Sequence, residues 1–462
     1  MMNYQALPPN FLFGAATSAY QIEGSPTTDG KGLSIWDDFS ARPGKVFRNH
    51  TGDIAGNTYQ NFSTDIAIMK QLGLQAYRFS VSWPRVMPQG QGGVNSKGLD
   101  YYDRLVDALL EAEIKPFITL FHWDLPLALH KRMHGFSSRD CAFIFADYAE
   151  TVAGRLGDRV KHWITLNEPW VHATLGYLRG LHAPGRLNPW AYLRVIHHQL
   201  LGHGLALERI RAATPDAEVG LSLNLSPVHS AGNDERVRRA ALLGDQFLNK
   251  VYLDGVFRGA YPQPLWNKLR AFHPRIEPGD MDVISRPIDF LGINYYTRAL
   301  LRHAWFVPFL HAWPANIPII ESRQPEHNGR NILYTEMGWE VYPGGLYELL
   351  FRMKQEYGNP PIYVTENGAA FNDEVANGRV NDRLRQQYLE QHLTVTAAAA
   401  NVGVDVRGYF VWSLIDNFEW HYGYEKRFGI VFVDYDTQNR IIKDSGYWYA
   451  DLIRQTASRQ VN

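Results

Sequence analysis

The sequence predicts an α/β fold, and within that class a closed (β/α)8 barrel that forms one domain over residues 1–462 with long loops after its strands. Short apolar, β-branched stretches alternate with segments of helical periodicity about eight times along the chain. Polar residues follow the carboxyl ends of nearly all the predicted strands. A barrel brings all its strand ends to one rim, whereas a doubly wound sheet uses residues near one switch point, so the barrel fits this distribution better.

The first half of the chain contains four predicted strands. The first covers residues 11–17, and apolar residues at helical spacing then predict a helix over residues 58–72 that ends at Gly73. The second strand, residues 76–83, contains Arg78, and an arginine buried in a strand requires a carboxylate partner. The other predicted elements of this half are helices at residues 101–113 and 139–156 and strands at residues 115–121 and 163–166.

The second half continues the alternation. Residues 300–344 have no clear period and several prolines, so they are predicted to form a long loop. Strands are predicted at residues 218–225, 289–294, 362–365 and 406–412, and helices at residues 189–213, 235–257, 347–357, 382–402 and 446–457.

Composition excludes several classes of protein. The net charge is −1, so no global field attracts nucleic acid or an anionic membrane surface. No stretch reaches the ~18 apolar residues that a membrane helix needs, and the first residues do not resemble a signal peptide. The single cysteine, Cys141, excludes a disulfide within the chain. These observations predict a cytoplasmic protein without nucleic-acid or membrane partners, and they leave its oligomeric state open.

Two carboxylates at strand ends suggest the chemistry. Glu366 ends an apolar strand before Asn367-Gly368, and Glu168 follows another between Asn167 and Pro169. Charge at such a position is unfavourable unless chemistry uses it. Two carboxyl groups ~5–5.5 Å apart can cleave a glycoside with retention of configuration, one as the nucleophile and the other as the acid.

The roles of the two groups follow from what each step requires. A nucleophile must stay ionised, which Arg78 could ensure for Glu366. An acid must keep its proton, which burial beside an ionised Glu366 could ensure for Glu168. Asn167 could donate to the sugar 2-hydroxyl, a contact that strengthens in the transition state. The aromatic content of 13% fits a pocket that stacks on sugar faces, although most of these rings serve the core.

The motifs resemble those of the family 1 β-glycosidases of the β-glucosidase type. They are SAYQIEG (18–24), YRFSVSWPR (77–85), FHWDLP (121–126), TLNEP (165–169), INYYT (293–297), YVTENG (363–368) and WSLIDNFEW (412–420). The resemblance covers residues 11–452 and implies a TIM barrel that hydrolyses β-glycosides, with retention and without metal or cofactor. It implies Glu168 as acid/base and Glu366 as nucleophile. It also implies a sugar site made of Gln21, His122, Trp123, Asn167, Asn294, Tyr296, Trp339, Trp412, Glu419, Trp420 and Phe428.

The resemblance also narrows the substrate. Relatives that act on 6-phospho-sugars have serine where Glu419 stands, and plant thioglycosidases have glutamine where Glu168 stands. The expected substrates are therefore unphosphorylated O-glycosides: small glycosides or short oligosaccharides such as cellobiose. Terminal non-reducing β-D-glucosyl residues are expected to be released, and β-galactosyl or β-fucosyl residues with them.

Three alternatives to a metal-free glycoside hydrolase lead to different expectations. A non-catalytic sugar-binding barrel would lack a carboxylate or Arg78, and all three residues are present. A transglycosylase would use the same catalytic residues, so the sequence does not separate it from a hydrolase. A metal site at His197, His198 and His203 is disfavoured because no acidic or cysteine ligands lie at a fitting spacing.

Overall fold

The computed structural model describes residues 7–316, 326–327 and 330–460 of the chain. Eight parallel strands close into a barrel in which each strand pairs with its neighbours in the chain and the last pairs with the first. The predicted (β/α)8 barrel is therefore confirmed. The strands are β1 (Leu12–Ala16), β2 (Ala76–Ser80), β3 (Lys115–Phe121), β4 (His162–Asn167), β5 (Glu218–Asn224), β6 (Phe290–Tyr295), β7 (Ile362–Asn367) and β8 (Val406–Trp412).

A major helix follows each strand, and the last helix contacts the first, so the helices close a ring as the strands do. The fifth helix continues through a π-helical turn at Gln246–Lys250 into Val251–Arg258. The helices are α1 (Thr58–Leu72), α2 (Ser96–Glu111), α3 (Asp140–Leu156), α4 (Pro189–Ala213), α5 (Glu235–Asp245), α6 (Gly344–Glu356), α7 (Arg383–Asn401) and α8 (Asp444–Gln460).

Shorter elements lie in the loops. Small sheets are formed by Val228–Ser230 with Ala299–His303 and Ala312–Pro314, by Glu326–His327 with Arg330–Asn331, by Val375–Ala376 with Arg379–Val380, and by Val431–Val433 with Arg440–Ile442. Short α-helices cover Ala19–Ile22, Ile35–Ser40, Trp83–Val86, Leu127–Met133, Pro169–Ala173, Gln263–Lys268 and Asp280–Ile284. Within the described ranges, none of the helices combines the length and apolar character needed to span a membrane.

Two predicted helices begin earlier than expected, at Gly344 and at Asp444, and three other predicted elements were wrong in part. The strand predicted at residues 76–83 ends earlier, at Ser80 of β2. Its last predicted residue, Trp83, instead begins a short helix, and the first turn of a helix tolerates Pro84. α2 begins at Ser96 rather than at residue 101; Gly98 weakens the local helix signal but allows close backbone contact with Arg85.

The third error is the predicted loop at residues 300–344, which contains strands Ala299–His303 and Ala312–Pro314. These strands are short and partly exposed, so their alternation of apolar and polar residues is weak. Residues 317–325 and 328–329 of the predicted loop lie outside the described residues.

The barrel interior changes from apolar to polar along the strands. Ala76, Phe117 and Phe410 belong to a buried apolar cluster inside the sheet. Because side chains alternate between the two faces of a strand, the residues two positions further on share the interior face. They include Arg78 and Thr119, which are polar and buried. The interior near the amino ends of the strands therefore forms a packed core, and the interior near their carboxyl ends carries the polar residues of the candidate site.

Candidate active site

Glu366 lies near the end of β7, and its side chain is buried. Each of its carboxylate oxygens has a strong donor. Arg78 on β2 donates to Oε1 at 2.6 Å, and the hydroxyl of Tyr296, which follows β6, donates to Oε2 at 2.6 Å. The carboxylate partner that the sequence demanded for Arg78 is therefore Glu366.

Glu168 directly follows β4 and has a left-handed backbone conformation with φ 45° and ψ 60°. This conformation is unfavourable for a residue other than glycine and must be held by its surroundings. The Glu168 N–H donates to the Ser222 carbonyl on β5 at 2.8 Å, and Pro169 begins a short helix. The side chain is buried, and its Oε1 accepts a hydrogen bond from Asn294 Nδ2 at 2.8 Å.

The side-chain oxygen of Asn167 connects the two carboxyl groups. It accepts hydrogen bonds from Arg78 at 2.6 Å and from Asn294 Nδ2 at 3.0 Å. The same guanidinium donates to Glu366, and the same amide donates to Glu168. Two glutamates that are far apart in the chain thus belong to one buried hydrogen-bond network.

The electrostatic environments of the two carboxyls differ. Burial raises the pKa of Glu168 well above its ordinary value, and the nearby charge of Glu366 raises it further. Burial also raises the pKa of Glu366, but the charge of Arg78 and the hydrogen bond from Tyr296 act against this increase. Glu366 has two strong donors, whereas Glu168 has one neutral amide. The pair therefore favours an ionised Glu366 beside a protonated Glu168.

His122 and Trp123 follow β3 and contact Asn167 from another side. The side-chain Nδ2 of Asn167 lies 3.0 Å from His122 Nε2, and Trp123 Nε1 donates to the backbone carbonyl of Asn167 at 2.9 Å. Burial and the charge of Arg78 hold the pKa of His122 well below its ordinary value. The imidazole is therefore neutral, and its Nε2 accepts the amide hydrogen bond.

Two tryptophans from β8 and its loop pack on these residues. The ring of Trp412 lies nearly parallel to that of His122, with centroids 5.8 Å apart. Trp420 lies 4.5 Å from Trp123 and 5.9 Å from His122, again between ring centroids. Together the four rings form one continuous aromatic wall.

Gln21 and Glu419 meet at the base of the loop after β8. Gln21 Nε2 donates to the Phe418 carbonyl at 2.9 Å and lies 3.5 Å from Glu419 Oε2. Burial, followed by the charge of Glu366, raises the pKa of Glu419 to about 8. Glu419 therefore lies within electrostatic reach of Glu366.

Tyr296 also belongs to an aromatic cluster with Trp339 and Phe428. The ring centroids of Trp339 and Phe428 lie 5.3 Å and 6.1 Å from that of Tyr296, and 6.2 Å from each other. Trp339 is half-buried, whereas Phe428 is buried. Through Tyr296, this cluster is adjacent to Glu366.

Sequence reasoning missed three side chains that support this network. Thr119 Oγ1 accepts from Arg78 Nε at 3.1 Å, and Thr365 Oγ1 donates to Asn294 Oδ1 at 2.7 Å. Asn417 Oδ1 accepts from Gln21 at 3.1 Å. The two threonines lie within apolar strands, so nothing in a single sequence distinguishes them from core residues. Asn417 lies within the WSLIDNFEW motif beside Glu419, so its position in the motif could have indicated a role in the site.

The histidines of α4 have separate partners. His197 Nε2 lies 3.0 Å from Asp280, His198 Nδ1 lies 2.9 Å from the Phe136 carbonyl, and His203 Nδ1 lies 2.6 Å from Thr165. In the part of the chain that the structure describes, no group of three or more histidine, cysteine, aspartate or glutamate residues is arranged to hold a metal ion.

Comparison with known proteins assigns the family. The model for glycosyl hydrolase family 1 matches residues 3–458. The chain belongs to glycosyl hydrolase family 1. Among family 1 relatives, beta-glucosidase A of Thermotoga maritima is 46% identical over 98% of this chain and 99% of its own length. A bifunctional beta-D-glucosidase/beta-D-fucosidase of Bifidobacterium breve is 42% identical over 98% of this chain and 99% of its own length.

Solved family 1 structures superpose on nearly the whole chain. The Thermotoga maritima family 1 β-glucosidase superposes with a TM-score of 0.92 at 44% identity, covering 97% of this chain and 98% of that one. Its complex with isofagomine lactam gives a TM-score of 0.91 at 45% identity, covering 97% and 99%. These matches confirm the family that the sequence motifs indicated.

Proposed function

We propose that the protein is a retaining β-glucosidase that releases terminal, non-reducing β-D-glucosyl residues from unphosphorylated O-glycosides. Glu366 is the nucleophile, and Glu168 is the acid in the first step and the base in the second. The reaction is a double displacement that uses the chain's own side chains, without a metal or cofactor.

One observation carries the proposal: two buried carboxyl groups share one network, but Glu366 has a cationic donor and Glu168 does not. Arg78 and Tyr296 stabilise negative charge on Glu366. Glu168 accepts a hydrogen bond from the neutral amide of Asn294, and the negative charge of Glu366 raises its pKa. A double displacement requires this division, because its nucleophile must be charged while its acid keeps a proton.

In the first step, a carboxylate oxygen of Glu366 forms a bond to the anomeric carbon while the bond from that carbon to the leaving oxygen breaks. Glu168 transfers its proton to the leaving oxygen, so the aglycone departs as a neutral alcohol. The Asn167 amide has a second N–H besides the one that it donates to His122, and this N–H is proposed to donate to the 2-hydroxyl of the sugar, where a hydrogen bond strengthens in the transition state.

The second step needs Glu168 as a base. Glu168 can change from acid to base because its pKa depends on the charge of Glu366. When Glu366 becomes an ester, it loses the negative charge that raises the pKa of Glu168. The pKa of Glu168 then falls, and the carboxylate accepts a proton from water as the water oxygen attacks the anomeric carbon. The sugar is released in its original configuration, and both carboxyls return to their starting states.

Several contacts support an unphosphorylated glucosyl substrate. Glu419 is a buried carboxyl beside Gln21, where the hydroxyl groups of an unphosphorylated sugar can be hydrogen-bonded. Trp412 and Trp420 offer apolar faces to a pyranose ring. Since a family 1 relative is named as both a β-glucosidase and a β-fucosidase, β-fucosyl residues are proposed as further substrates. Release of β-galactosyl residues stays a prediction from the sequence.

The aglycone side of the substrate is proposed to lie at Trp339, beyond Tyr296. A short oligosaccharide such as cellobiose would stack its second ring there. Solved structures of the Thermotoga maritima relative hold small sugar-like ligands, including isofagomine lactam, which supports a small-molecule partner for this site. Transfer to a sugar hydroxyl instead of water uses the same residues and is an alternative outcome of the second step.

The proposal also covers the organisation of the chain. We propose that residues 1–462 form one catalytic domain, since the family match extends over residues 3–458. A cytoplasmic location is proposed because the single cysteine, Cys141, is a free and buried thiol.

A panel of 4-nitrophenyl β-glycosides with proton NMR of the first product tests this function. We expect the β-glucoside to be cleaved and β-glucose to appear before its α-anomer, which forms later by mutarotation. First appearance of α-glucose would contradict the double displacement. Failure to cleave any β-glycoside in the panel would instead favour a non-catalytic sugar-binding protein.

A further inference from the structure

A buried cluster of six charged side chains links the loop after β7 to the loop after β8. We call this cluster the loop clamp, and it contains three acidic and three basic groups. Arg427 is 20% exposed, and the other five side chains are 1% exposed or less. Its members are Asp373, Asp382, Arg385, Asp416, Arg427 and Lys443.

On the β7 side, the loop clamp is centred on Arg385. Its guanidinium donates to Asp373 at 2.8 and 3.0 Å and to Asp382 at 2.5 Å. Its Nε donates to the Ala369 carbonyl at 3.2 Å. Ala369 belongs to the segment that leaves β7 directly after Glu366 and Asn367, so the clamp restrains the chain next to the proposed nucleophile.

On the β8 side, both oxygens of Asp416 are occupied. Oδ1 accepts from Lys443 Nζ at 2.7 Å and from the Gly429 N–H at 3.0 Å, and Oδ2 accepts from Arg427 at 2.6 Å. Lys443 Nζ also donates to Asp373 at 2.5 Å. The two loops are therefore joined through one buried ammonium group.

The loop clamp lies close in the chain to residues of the proposed sugar site. Glu419 lies three positions after Asp416, and Gln21 holds the intervening residues through the Asn417 side chain and the Phe418 carbonyl. The loop between Asp416 and Glu419 is thus fixed from two sides, by the loop clamp and by Gln21.

We propose that the loop clamp is a positioning device for sugar recognition, in which Asp416 holds Glu419 where it meets the 6-hydroxyl of a glucosyl residue. This inference rests on the proposed function. Buried ion pairs are often no more stabilising than apolar packing, so the five buried charges here are better explained by the fixed geometry that they impose on both loops. Asp416 contacts no substrate in this account and acts through Glu419.

A double-mutant cycle of Asp416→Asn and Glu419→Gln tests the inference. We measure kcat/KM for 4-nitrophenyl β-glucoside and for the β-xyloside, which lacks the hydroxymethyl group. Asp416→Asn is expected to lower the value for the glucoside about tenfold and that for the xyloside less than about threefold, as expected for a coupled pair of sites. In the Glu419→Gln background, Asp416→Asn is expected to have less than about a threefold effect on the glucoside.

Asp280→Asn is the matched control. Asp280 is 3% exposed and pairs with Arg139, and among the described residues its hydrogen bonds do not reach the proposed sugar site. Its substitution should change both substrates by the same factor, in both backgrounds. If Asp416→Asn behaved like this control, the loop clamp would contribute only to stability and the inference would be overturned.

Two further measurements keep the inference testable. Should Asp416→Asn fail to fold, Arg427→Gln replaces it in the cycle, because Arg427 is partly exposed and contacts the same carboxylate. The cycle is also measured as the Kd for deoxynojirimycin, a ligand of the Thermotoga maritima relative. Coupling in Kd without glucoside cleavage by the wild type would contradict the proposed function but keep the positioning role. Cleavage of the glucoside by the wild type without coupling in Kd would support the proposed function and overturn the positioning role.

Discussion

Arg78 Nη1 lies 2.6 Å from Glu366 Oε1, and neither side chain is more than 3% exposed. A buried carboxylate without a partner would take up a proton, and a protonated Glu366 could not attack an anomeric carbon. This one ion pair therefore connects the folding of the barrel to its chemistry. It also joins β2 to β7 across the barrel interior.

Replacing Arg78 with methionine should move the acidic limb of the pH profile of kcat/KM to higher pH. Without the positive charge, the pKa of Glu366 rises, so a higher pH is needed to ionise the nucleophile. The lone buried carboxylate should also cost about 3–5 kcal/mol of stability. Arg139→Met, which breaks the ion pair with Asp280, is the control and should leave the limb in place. An unshifted limb in Arg78→Met would count against an ionised Glu366.

Tyr296→Phe should reduce turnover while preserving the aromatic cluster with Trp339 and Phe428. The variant removes the 2.6 Å hydrogen bond to Glu366, and a bond to a charged group contributes about 1.5–3 kcal/mol. We expect kcat/KM for an aryl β-glucoside to fall by about 10- to 100-fold. Tyr357→Phe removes a hydrogen bond to Asp254 and should leave kcat/KM within about twofold. Equal losses in the two variants would show that the effect is not specific to the site.

Glu168→Gln should discriminate between leaving groups. Phenyl β-glucoside needs protonation and should lose about 10²–10⁴-fold in kcat/KM, whereas 2,4-dinitrophenyl β-glucoside needs little and should change only a few-fold. Asp65→Asn, which alters a buried ion pair with Arg440, should affect both substrates alike.

The same variant tests the raised pKa of Glu168. The acid acts only while it is protonated, so wild-type activity should fall as pH rises through this pKa. Glutamine does not titrate, so the alkaline limb that the wild type shows with phenyl β-glucoside should be absent from the profile of the variant with the same substrate. Persistence of that limb in Glu168→Gln would assign it to another group.

Glu419→Gln should stabilise the free protein at alkaline pH. The folded-state pKa of Glu419 is about 8, against an ordinary value of 4.5, so the folded protein retains a proton that the unfolded chain releases. Stability is therefore unaffected below about pH 4.5, declines as pH rises towards 8 and is then constant. The Tm of the variant relative to the wild type should rise over this window, by a few degrees in total. A Tm difference that does not vary with pH would contradict the raised pKa.

The sequence was most informative where one pattern repeats. Alternating strands and helices, with polar residues at the strand ends, were enough to predict the barrel. The bounds of Thr58–Leu72 and Pro189–Ala213 agree with the prediction to the residue. Gly73 ends the first helix, and in the structure the Asn188 side chain caps the second, which begins at Pro189. The carboxylate partner of Arg78 was demanded by burial alone, and the structure identifies it as Glu366.

The sequence was least informative where contacts join distant loops. Lys443 and Asp416 are 27 positions apart and meet in a buried ion pair, yet neither belongs to a local pattern that requires the other. Thr365 likewise resembles any strand residue until the fold places it against Asn294. Such pairings depend on which loops the barrel brings together, and a single sequence does not contain that information.

Chemical rescue with azide tests the double displacement most directly. In Glu366→Ala, azide can occupy the space of the missing carboxylate and attack 2,4-dinitrophenyl β-glucoside from that face, giving the α-glucosyl azide. In Glu168→Ala, Glu366 still forms the glycosyl ester, and azide then attacks from the opposite face to give the β-glucosyl azide. We predict these two opposite anomers by NMR. The same anomer from both variants, or the reverse assignment, would contradict the roles given to Glu366 and Glu168.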